Sequence, residues 1–229
     1  MPSAVILTRA EGENAALAAL LRARGHDVVE LPCITTLPVA DDRELASAVR
    51  ALGDRDRLVV TSHAGALAVL RVLDGPLAAA VATVGRRAAD TLRAHGVAID
   101  RTAPTGRELA EDLEIPPGLV LLARSDRALP DLPALLAARG ATVREVVAYR
   151  TVPRVDGDAA RAGSLLAAGA TLVVTSPSAL DALLDRLGSA ALSRARLIAT
   201  GPTTLAHVEA RTGRAATLAS WDRVPEVVG

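Results

Sequence analysis

The chain has 229 residues, half of them hydrophobic, and its 26 basic and 26 acidic side chains cancel to a formal net charge of zero. This length suits one large or two small domains, and the neutral balance argues against a dedicated binder of nucleic acid or acidic membranes. One tyrosine, one tryptophan and no phenylalanine leave almost no platform for stacking bases or sugars. The single cysteine, Cys33, excludes an internal disulfide and favours a reducing, cytoplasmic compartment.

Short β-branched runs alternate with helical patterns along the whole chain. In the first half, we predict strands near 4–8, 27–31, 57–61, 80–84 and 98–101 and helices near 12–24, 42–52, 63–73, 86–95 and 106–113. In the second half, we predict strands near 119–123, 142–148, 171–175, 195–199 and 215–218. Continuously apolar strands are typical of a parallel sheet that helices cover on both faces. The alternation therefore predicts an open α/β fold.

The second half of the chain resembles the first. The segment VILTR at 5–9 matches VLLAR at 120–124, and LVVTS at 58–62 recurs unchanged at 172–176. Matches at a nearly constant spacing are the mark of an internal repeat, so we interpret the chain as a tandem duplication of a unit of about 115 residues.

Two segments at equivalent positions of the repeat, 33–38 and 148–153, are rich in β-branched residues and end in proline. The residues leave open two domains that follow one another along the chain, but we interpret these segments as paired connectors that run side by side between two domains. One domain is then discontinuous, built from 1–35 and 152–229, and the other is inserted over 38–148. The predicted fold is a pair of similar open parallel-sheet α/β domains with a cleft between them.

Small polar residues, glycines and arginines follow several of the predicted strands. Parallel sheets bind ligands at the carboxyl ends of their strands, where helix N-termini offer N–H groups and a positive dipole. We therefore expect these residues to bind a substrate that carries carboxylate or phosphate. They are Arg9, Ser62, His63, Gly85, Arg86, Arg124, Ser125, Ser176, Pro177, Ser178, Gly201, Pro202, Thr203 and Thr204. The alternative for each hydroxyl residue is an ordinary helix N-cap.

Tyr149 is the only phenol and lies in the second connector. A phenol can donate a proton to a leaving oxygen, which makes Tyr149 the catalytic candidate. The alternative is that it packs as an amphipathic hinge residue, and the residues alone leave both open. The chain has no nucleotide-binding glycine motif and no His/Cys cluster with metal-ligand spacing, so we expect neither a cofactor nor a metal.

Three short motifs occur in a fixed order in this duplicated chain: VAYRTVP at 147–153, TSPSA at 175–179 and GPTT at 201–204. In their order and spacing they resemble uroporphyrinogen-III synthases, and the resemblance extends over essentially the whole chain. It implies two α/β domains joined by an antiparallel two-stranded ladder, with the substrate between them.

The resemblance also implies a reaction. The linear tetrapyrrole hydroxymethylbilane would lose water and close to uroporphyrinogen III, with its ring D inverted and without any cofactor. Tyr149 matches the tyrosine proposed to assist departure of the substrate hydroxyl. Thr203 and Thr204 match a turn near the acidic side chains of the substrate. The serines that match family serines at equivalent strand ends are Ser62, Ser176 and Ser178. We expect a monomer that binds no nucleic acid or membrane and receives its substrate by transient hand-over from the upstream deaminase.

The first copy departs from the family pattern at two places. Arg86 follows Gly85 where proline is more typical, and His63 follows Ser62 where proline or asparagine is common. These changes either add positive charge for acidic substituents or mark a relative with a different ligand. Two other classes therefore stay open: a tetrapyrrole-binding sensor without catalysis, and a hinge-type solute-binding module. The presence of Tyr149 favours the enzyme.

Overall fold

The structure is a computed structural model that describes residues 3–10, 12–154 and 157–228. The strands are β1 (Ala4–Leu7), β2 (Asp27–Glu30), β3 (Ile34–Pro38), β4 (Arg57–Val60), β5 (Ala80–Val84), β6 (Arg101–Ala103), β7 (Leu119–Ser125), β8 (Thr142–Pro153), β9 (Thr171–Val174), β10 (Arg196–Ala199) and β11 (Thr217–Leu218). The α-helices are α1 (Ala15–Ala23), α2 (Arg43–Arg50), α3 (His63–Val72), α4 (Arg86–Ala94), α5 (Gly106–Asp112), α6 (Asp131–Ala138), α7 (Ala159–Ala167), α8 (Pro177–Leu187), α9 (Pro202–Thr212) and α10 (Val224–Val227). Short 3₁₀ turns cover Ser189–Leu192 and Trp221–Arg223.

The chain divides into two compact units. The first unit comprises Met1–Thr35 and Val152–Gly229, and the second comprises Thr36–Thr151. The first unit contains a sheet in the order β11-β10-β9-β1-β2, with every adjacent pair parallel. The second contains a sheet in the order β3-β8-β7-β4-β5-β6, parallel from β8 to β6. The prediction of two parallel-sheet α/β folds is confirmed.

Each sheet combines strands from both halves of the duplicated chain. In the first unit, β1 lies between β9 and β2, and in the second unit β7 lies between β4 and β8. The join in the first unit is reinforced by the hydroxyl of Thr8, which donates to the carbonyl of Val173 at 2.8 Å. Equivalent elements of the repeat occupy equivalent places in the two sheets, as a duplication requires.

Several predicted boundaries differ from the structure, three of them by three residues or more. Helix α1 begins at Ala15 rather than residue 12, since the first helical bond closes from Ala18 to the carbonyl of Asn14. Strand β6 begins at Arg101 rather than residue 98, because its pairing with β5 starts there. Strand β8 runs without a break into the predicted connector, so strand and connector form one element of 12 residues that ends at Pro153.

The strands are apolar on both sides because helices cover both faces of each sheet. In β7, the neighbouring side chains Leu121 and Leu122 are fully buried in different apolar clusters, one on each face. Val5 and Ile6 divide in the same way in β1. This arrangement agrees with the continuous apolar runs in the sequence. Among the described residues, no helix is both long and apolar enough to cross a membrane.

The carboxylate of Asp56 links two turns at the amino end of β7. It accepts hydrogen bonds from the main-chain N–H groups of Gly53, at 2.8 Å, and Leu119, at 2.7 Å. These two bonds lower the pKa of Asp56 below its usual value. A carboxyl group whose pKa is lowered by folding contributes stability above its unfolded pKa, and this contribution is lost as the pH falls through the folded pKa.

We therefore expect Asp56→Ala to be less stable than the unsubstituted protein at neutral pH, with a smaller difference below about pH 4. Urea unfolding of both proteins at several pH values measures this difference. A stability gap of the same size at acidic and neutral pH would show that the ionised carboxylate of Asp56 contributes nothing specific.

Candidate functional site

Three hydroxyl groups form a row across three adjacent strands in the second unit, level with the carboxyl ends of β4 and β7. Ser125 at the end of β7 is paired with Tyr149 of β8. On the other side of β7, Val60 of β4 is paired with Ala123, so Ser62 lies two residues further on, level with Ser125. Sequence positions far apart are therefore brought together by the order and register of these strands.

The row is joined by hydrogen bonds around the phenol of Tyr149. The hydroxyl of Ser62 donates to the phenol oxygen at 2.9 Å, and it also accepts from the N–H of Gly65 at 3.0 Å. Ser125 makes a further hydrogen bond with the phenol and lies 2.7 Å from the hydroxyl of Thr151. Because Ser62 donates to the phenol oxygen, the proton of the phenol is left for another acceptor.

The electrostatics keep Tyr149 protonated. Burial raises the pKa of its phenol, and the charge of Asp126 also raises it. The hydrogen bonds with Ser62 and Ser125 and the charge of Arg124 offset this only in part. An ordinary tyrosine already titrates near pH 10, so a raised pKa leaves the group neutral at physiological pH. Tyr149 is therefore suited to donate a proton rather than to act as a base.

Arg124 directly precedes Ser125 in β7 and is only 5 % exposed. Its guanidinium donates to Glu145 at 2.9 Å and to the carbonyl of Leu129, while its Nε has no partner within the part of the chain that the structure describes. These contacts tie the end of β7 to β8 and to the turn that follows. They favour a supporting role for Arg124 over direct contact with a ligand.

The other predicted residues of the second unit lie at the starts of α3 and α4. His63 opens α3, and its Nδ1 lies 2.9 Å from the hydroxyl of Thr91 in α4. Gly85 caps α4 at a φ of 82°, a left-handed conformation that favours glycine, and offers no side-chain cap. Arg86 is exposed in the first helical turn. This end of α4 therefore presents positive charge at a helix start that has no side-chain cap, a combination that suits anions.

The first unit has a similar edge. Ser176 caps α8 by accepting from the N–H of Ala179 at 3.2 Å, and its hydroxyl lies 3.2 Å from that of Ser178. Pro177 occupies the first turn of α8, as Pro202 does in α9. These contacts confirm the N-cap role for Ser176, which leaves a ligand role as a second use of the same hydroxyl.

The end of β10 and the end of β1 complete this edge. Gly201 caps α9 without a side chain, Thr203 is exposed in the first turn and Thr204 is buried. The guanidinium carbon of Arg9 lies 4.6 Å from the ring centre of Trp221, a cation–π contact, and its Nε pairs with Glu13 at 3.3 Å. Arg9 is thus held against the protein.

Asp126 is a residue that the sequence did not single out. Its carboxylate accepts the N–H of Thr151 at 2.8 Å, and its own N–H donates to the carbonyl of Tyr149 at 3.2 Å. In the sequence, an acidic residue beside arginines is typical of a solvated ion pair. Only its place directly after Ser125, at the end of β7, could have indicated a role near Tyr149.

One cavity lies away from these residues. It has a volume of about 650 Å³, lies beside the segments that precede β5 and β6, and is lined mainly by apolar side chains such as Leu73, Leu77, Val97 and Ile99. None of the predicted site residues lines it. Across residues 3–10, 12–154 and 157–228, no group of three or more His, Cys, Asp or Glu side chains could hold a metal ion.

Comparisons with known proteins point in one direction. The family model described as uroporphyrinogen-III synthase HemD matches residues 15–220. A uroporphyrinogen-III synthase of Synechococcus elongatus is 32% identical over 106 residues, a match that covers 44% of this chain and 40% of the relative. The aligned part is thus less than half the length of this relative.

Solved structures give the same fold. A mutant uroporphyrinogen III synthase of the extremely thermophilic bacterium Thermus thermophilus is similar with a TM-score of 0.70 and 22% identity, covering 99% of this chain and 96% of that one. The uroporphyrinogen-III synthetase of Helicobacter pylori is similar with a TM-score of 0.60 and 17% identity, covering 99% and 98%. Since the family model spans all but the ends of the chain, this protein belongs to the uroporphyrinogen-III synthase family.

Proposed function

We propose that the protein is a uroporphyrinogen-III synthase, which converts hydroxymethylbilane into uroporphyrinogen III with loss of water and inversion of ring D. We further propose that it acts as a cofactor-independent hydro-lyase. Family membership supports the reaction, and one observation in the structure carries the assignment of the chemistry. This is the protonated phenol of Tyr149, held at 2.9 Å by Ser62 at the carboxyl edge of a parallel sheet.

Binding of the substrate would rely on its carboxylates. The substrate has eight of them, and the carboxyl edges of both sheets offer helix N-termini with short hydroxyl residues, including Ser176 and Thr203. The exposed Arg86 adds positive charge at the start of α4. Free N–H groups at helix starts bind anions without any specific side chain, so several such ends could hold several carboxylates at once.

The chemical step would begin with departure of the substrate hydroxyl. As its C–O bond breaks, Tyr149 donates the phenol proton and water leaves, which produces an electrophilic azafulvene-type carbon. The substituted carbon of the last pyrrole attacks this carbon to give a spiro intermediate, which fragments and closes again with ring D inverted. The proton lost from the macrocycle restores the phenol, so no net proton is consumed by Tyr149.

The choice of product would come from positioning. In water, the free end of the last pyrrole attacks first and gives the type I isomer without inversion. The protein has to hold the chain so that the substituted carbon reacts instead, and a fixed geometry of this kind can supply several kcal/mol without a strong catalytic group. We propose that a monomer carries out the reaction in a reducing cytoplasm, where a deaminase hands over the unstable substrate.

A coupled assay tests the proposed function. Hydroxymethylbilane is generated in place by a deaminase, the products are oxidised, and the type I and type III uroporphyrins are separated. We expect a large excess of type III over the control without this protein. Only type I from a well-folded sample would exclude the synthase and leave a tetrapyrrole-binding sensor of the same family as the better assignment.

The same assay tests the role of Tyr149. We expect Tyr149→Phe to form the type III isomer with kcat lowered by less than the ~10²-fold at which general acid catalysis typically begins, because positioning supplies most of the rate. Complete loss of activity in a folded Tyr149→Phe variant would contradict this account. The phenol, rather than positioning, would then be the main source of catalysis.

A further inference from the structure

Strand β8 contains one residue more than its partner at the point where it approaches the candidate site. Arg124 of β7 is paired with Val147, but the next residue, Ser125, is paired with Tyr149, so Ala148 is skipped. This is a β-bulge, a device that redirects the side chains that follow it.

The bulge decides which face of the sheet Tyr149 occupies. In a regular strand, two successive side chains point to opposite faces. Here Ala148 and Tyr149 follow one another, yet both pack against the apolar cluster that contains Val146 and Ala123. Without the irregularity, Tyr149 at this position in β8 would face the other way. The bulge therefore brings the phenol to the face where Ser62 and Ser125 end their strands.

Asp126 holds β8 on the far side of the bulge. Its N–H donates to the carbonyl of Tyr149 at 3.2 Å, and its carboxylate accepts the N–H of Thr151 at 2.8 Å. The main chain and the side chain of Asp126 thus form hydrogen bonds with the residues before and after Arg150. Thr151 is 7 % exposed, so its N–H would have little access to water if the carboxylate were missing.

The remaining contacts keep this carboxylate charged and in place. Ser125 donates to it at 3.1 Å, and the Nε of Arg150 lies 3.5 Å from its other oxygen. Burial raises the pKa of Asp126, but the hydrogen bonds from Thr151, Ser125 and Arg150 outweigh it and keep the pKa below the usual value. The group therefore stays ionised at neutral pH and acts as a fixed acceptor.

We propose that Asp126 is a positioning residue, which holds the bulged segment of β8 so that the phenol of Tyr149 stays in contact with Ser62. Its carboxylate takes the place of a main-chain carbonyl in the ladder and exchanges no proton with substrate. The consequence for catalysis rests on the proposed function, since it acts through Tyr149. The effect of Asp126 on the position of the Tyr149 phenol does not depend on the proposed function.

Two substitutions separate the acceptor from the charge. Asp126→Asn keeps an oxygen for the N–H of Thr151 and loses the charge, whereas Asp126→Glu keeps the charge and moves the oxygen by one methylene. Asp126→Ala removes both. Asp56 provides the matched control, because its carboxylate also accepts main-chain N–H groups but at the opposite end of β7.

The kinetic test compares kcat in the wild-type and Tyr149→Phe backgrounds. We expect Asp126→Asn to keep most of kcat, and Asp126→Glu and Asp126→Ala to lower it by no more than Tyr149→Phe does, with KM little changed. In the Tyr149→Phe background, we expect the three substitutions to change kcat by no more than about twofold. The effects of substitutions do not add when one residue acts through the other. An undiminished loss in that background would overturn the proposal.

A titration of the phenol provides a test that needs no substrate. Tyr149 is the only tyrosine, so the ultraviolet absorbance of tyrosinate reports this one group. We expect the pKa of Tyr149 to fall toward the ordinary value of about 10 in Asp126→Glu and to stay unchanged in Asp56→Glu, because burial is the largest cause of the raised pKa. An unchanged pKa in folded Asp126→Glu would overturn the proposal even if the protein proves to be a sensor.

Discussion

Replacing Leu121 with alanine is expected to lower the free energy of unfolding by about 2–5 kcal/mol. Leu121 is fully buried in β7, which lies between β4 and β8 in the sheet of the second unit. Its side chain packs in a cluster with Leu58 and Val60 of β4. Strands and helices surround the position on every side, so the structure cannot collapse into the space that the lost carbon atoms leave.

Leu67 in α3 provides the control for this measurement. Leu67 is 48 % exposed, so Leu67→Ala removes the same atoms from a position that leaves about half of the residue in water. We expect a change within about 0.5 kcal/mol. Urea unfolding monitored by circular dichroism compares the two variants, and equal losses of stability would contradict the role assigned to Leu121 in the core.

Replacing Gly65 with leucine is expected to lower the free energy of unfolding by about 1–3 kcal/mol and to disturb the candidate site as well. A Cβ atom at this buried position would lie 3.2 Å from the carbonyl oxygen of Ala123 and 3.2 Å from the hydroxyl of Ser62. The carbonyl belongs to the central strand β7 and cannot move freely. Helix α3 would have to withdraw from the sheet, and Ser62 would lose its fixed place beside Tyr149.

Gly106 in α5 tests whether this effect is specific. It also lies in the first turn of a helix that follows a strand, but the atoms nearest to a Cβ there would be those of the Leu132 side chain, at 3.5 Å or more. We expect Gly106→Leu to change stability by less than about 1 kcal/mol, with the gain in helix propensity offsetting any crowding. If both variants kept the same stability and the same Tyr149 pKa, the close approach at Gly65 would have no consequence.

Most of the fold could be predicted from the sequence because its signals are local and repeated. Apolar runs such as Leu58–Val60 mark strands that are buried on both faces, and the repeat shows that the two halves share one plan. The lengths of the strands were harder to predict from the sequence. The extension of β8 through Pro153 and the late start of β6 depend on which neighbours offer hydrogen bonds, and these neighbours are distant in sequence.

The candidate site could be predicted only in outline. The strand ends that carry Ser62, Ser125 and Tyr149 were identified, but their contact depends on the register of three strands and on a bulge. A bulge leaves no clear mark in a sequence, because Ala148 is an ordinary strand residue. Asp126 was missed for the same reason, since its partner Thr151 becomes a neighbour only after β7 and β8 pair.

Charge patterns were the least informative signal. Arg9 and Arg124 follow equivalent strands and were both expected to bind ligand, which stays a prediction. In the structure Arg9 contacts Trp221 and Arg124 contacts Glu145. An arginine in a sequence shows that a positive charge is available. Whether the protein or a ligand uses that charge depends on the packing of the loop that follows.

The exchange of strands between the two halves of the chain has a consequence for the order of folding. Thr8 and Val173 form a hydrogen bond although 165 residues separate them, whereas every strand pair from β4 to β8 lies within the continuous stretch 36–151. Closing such a long loop is entropically costly and slow. During synthesis, the second unit can complete its sheet before β9 has been made. At that stage β1 still lacks its neighbour β9.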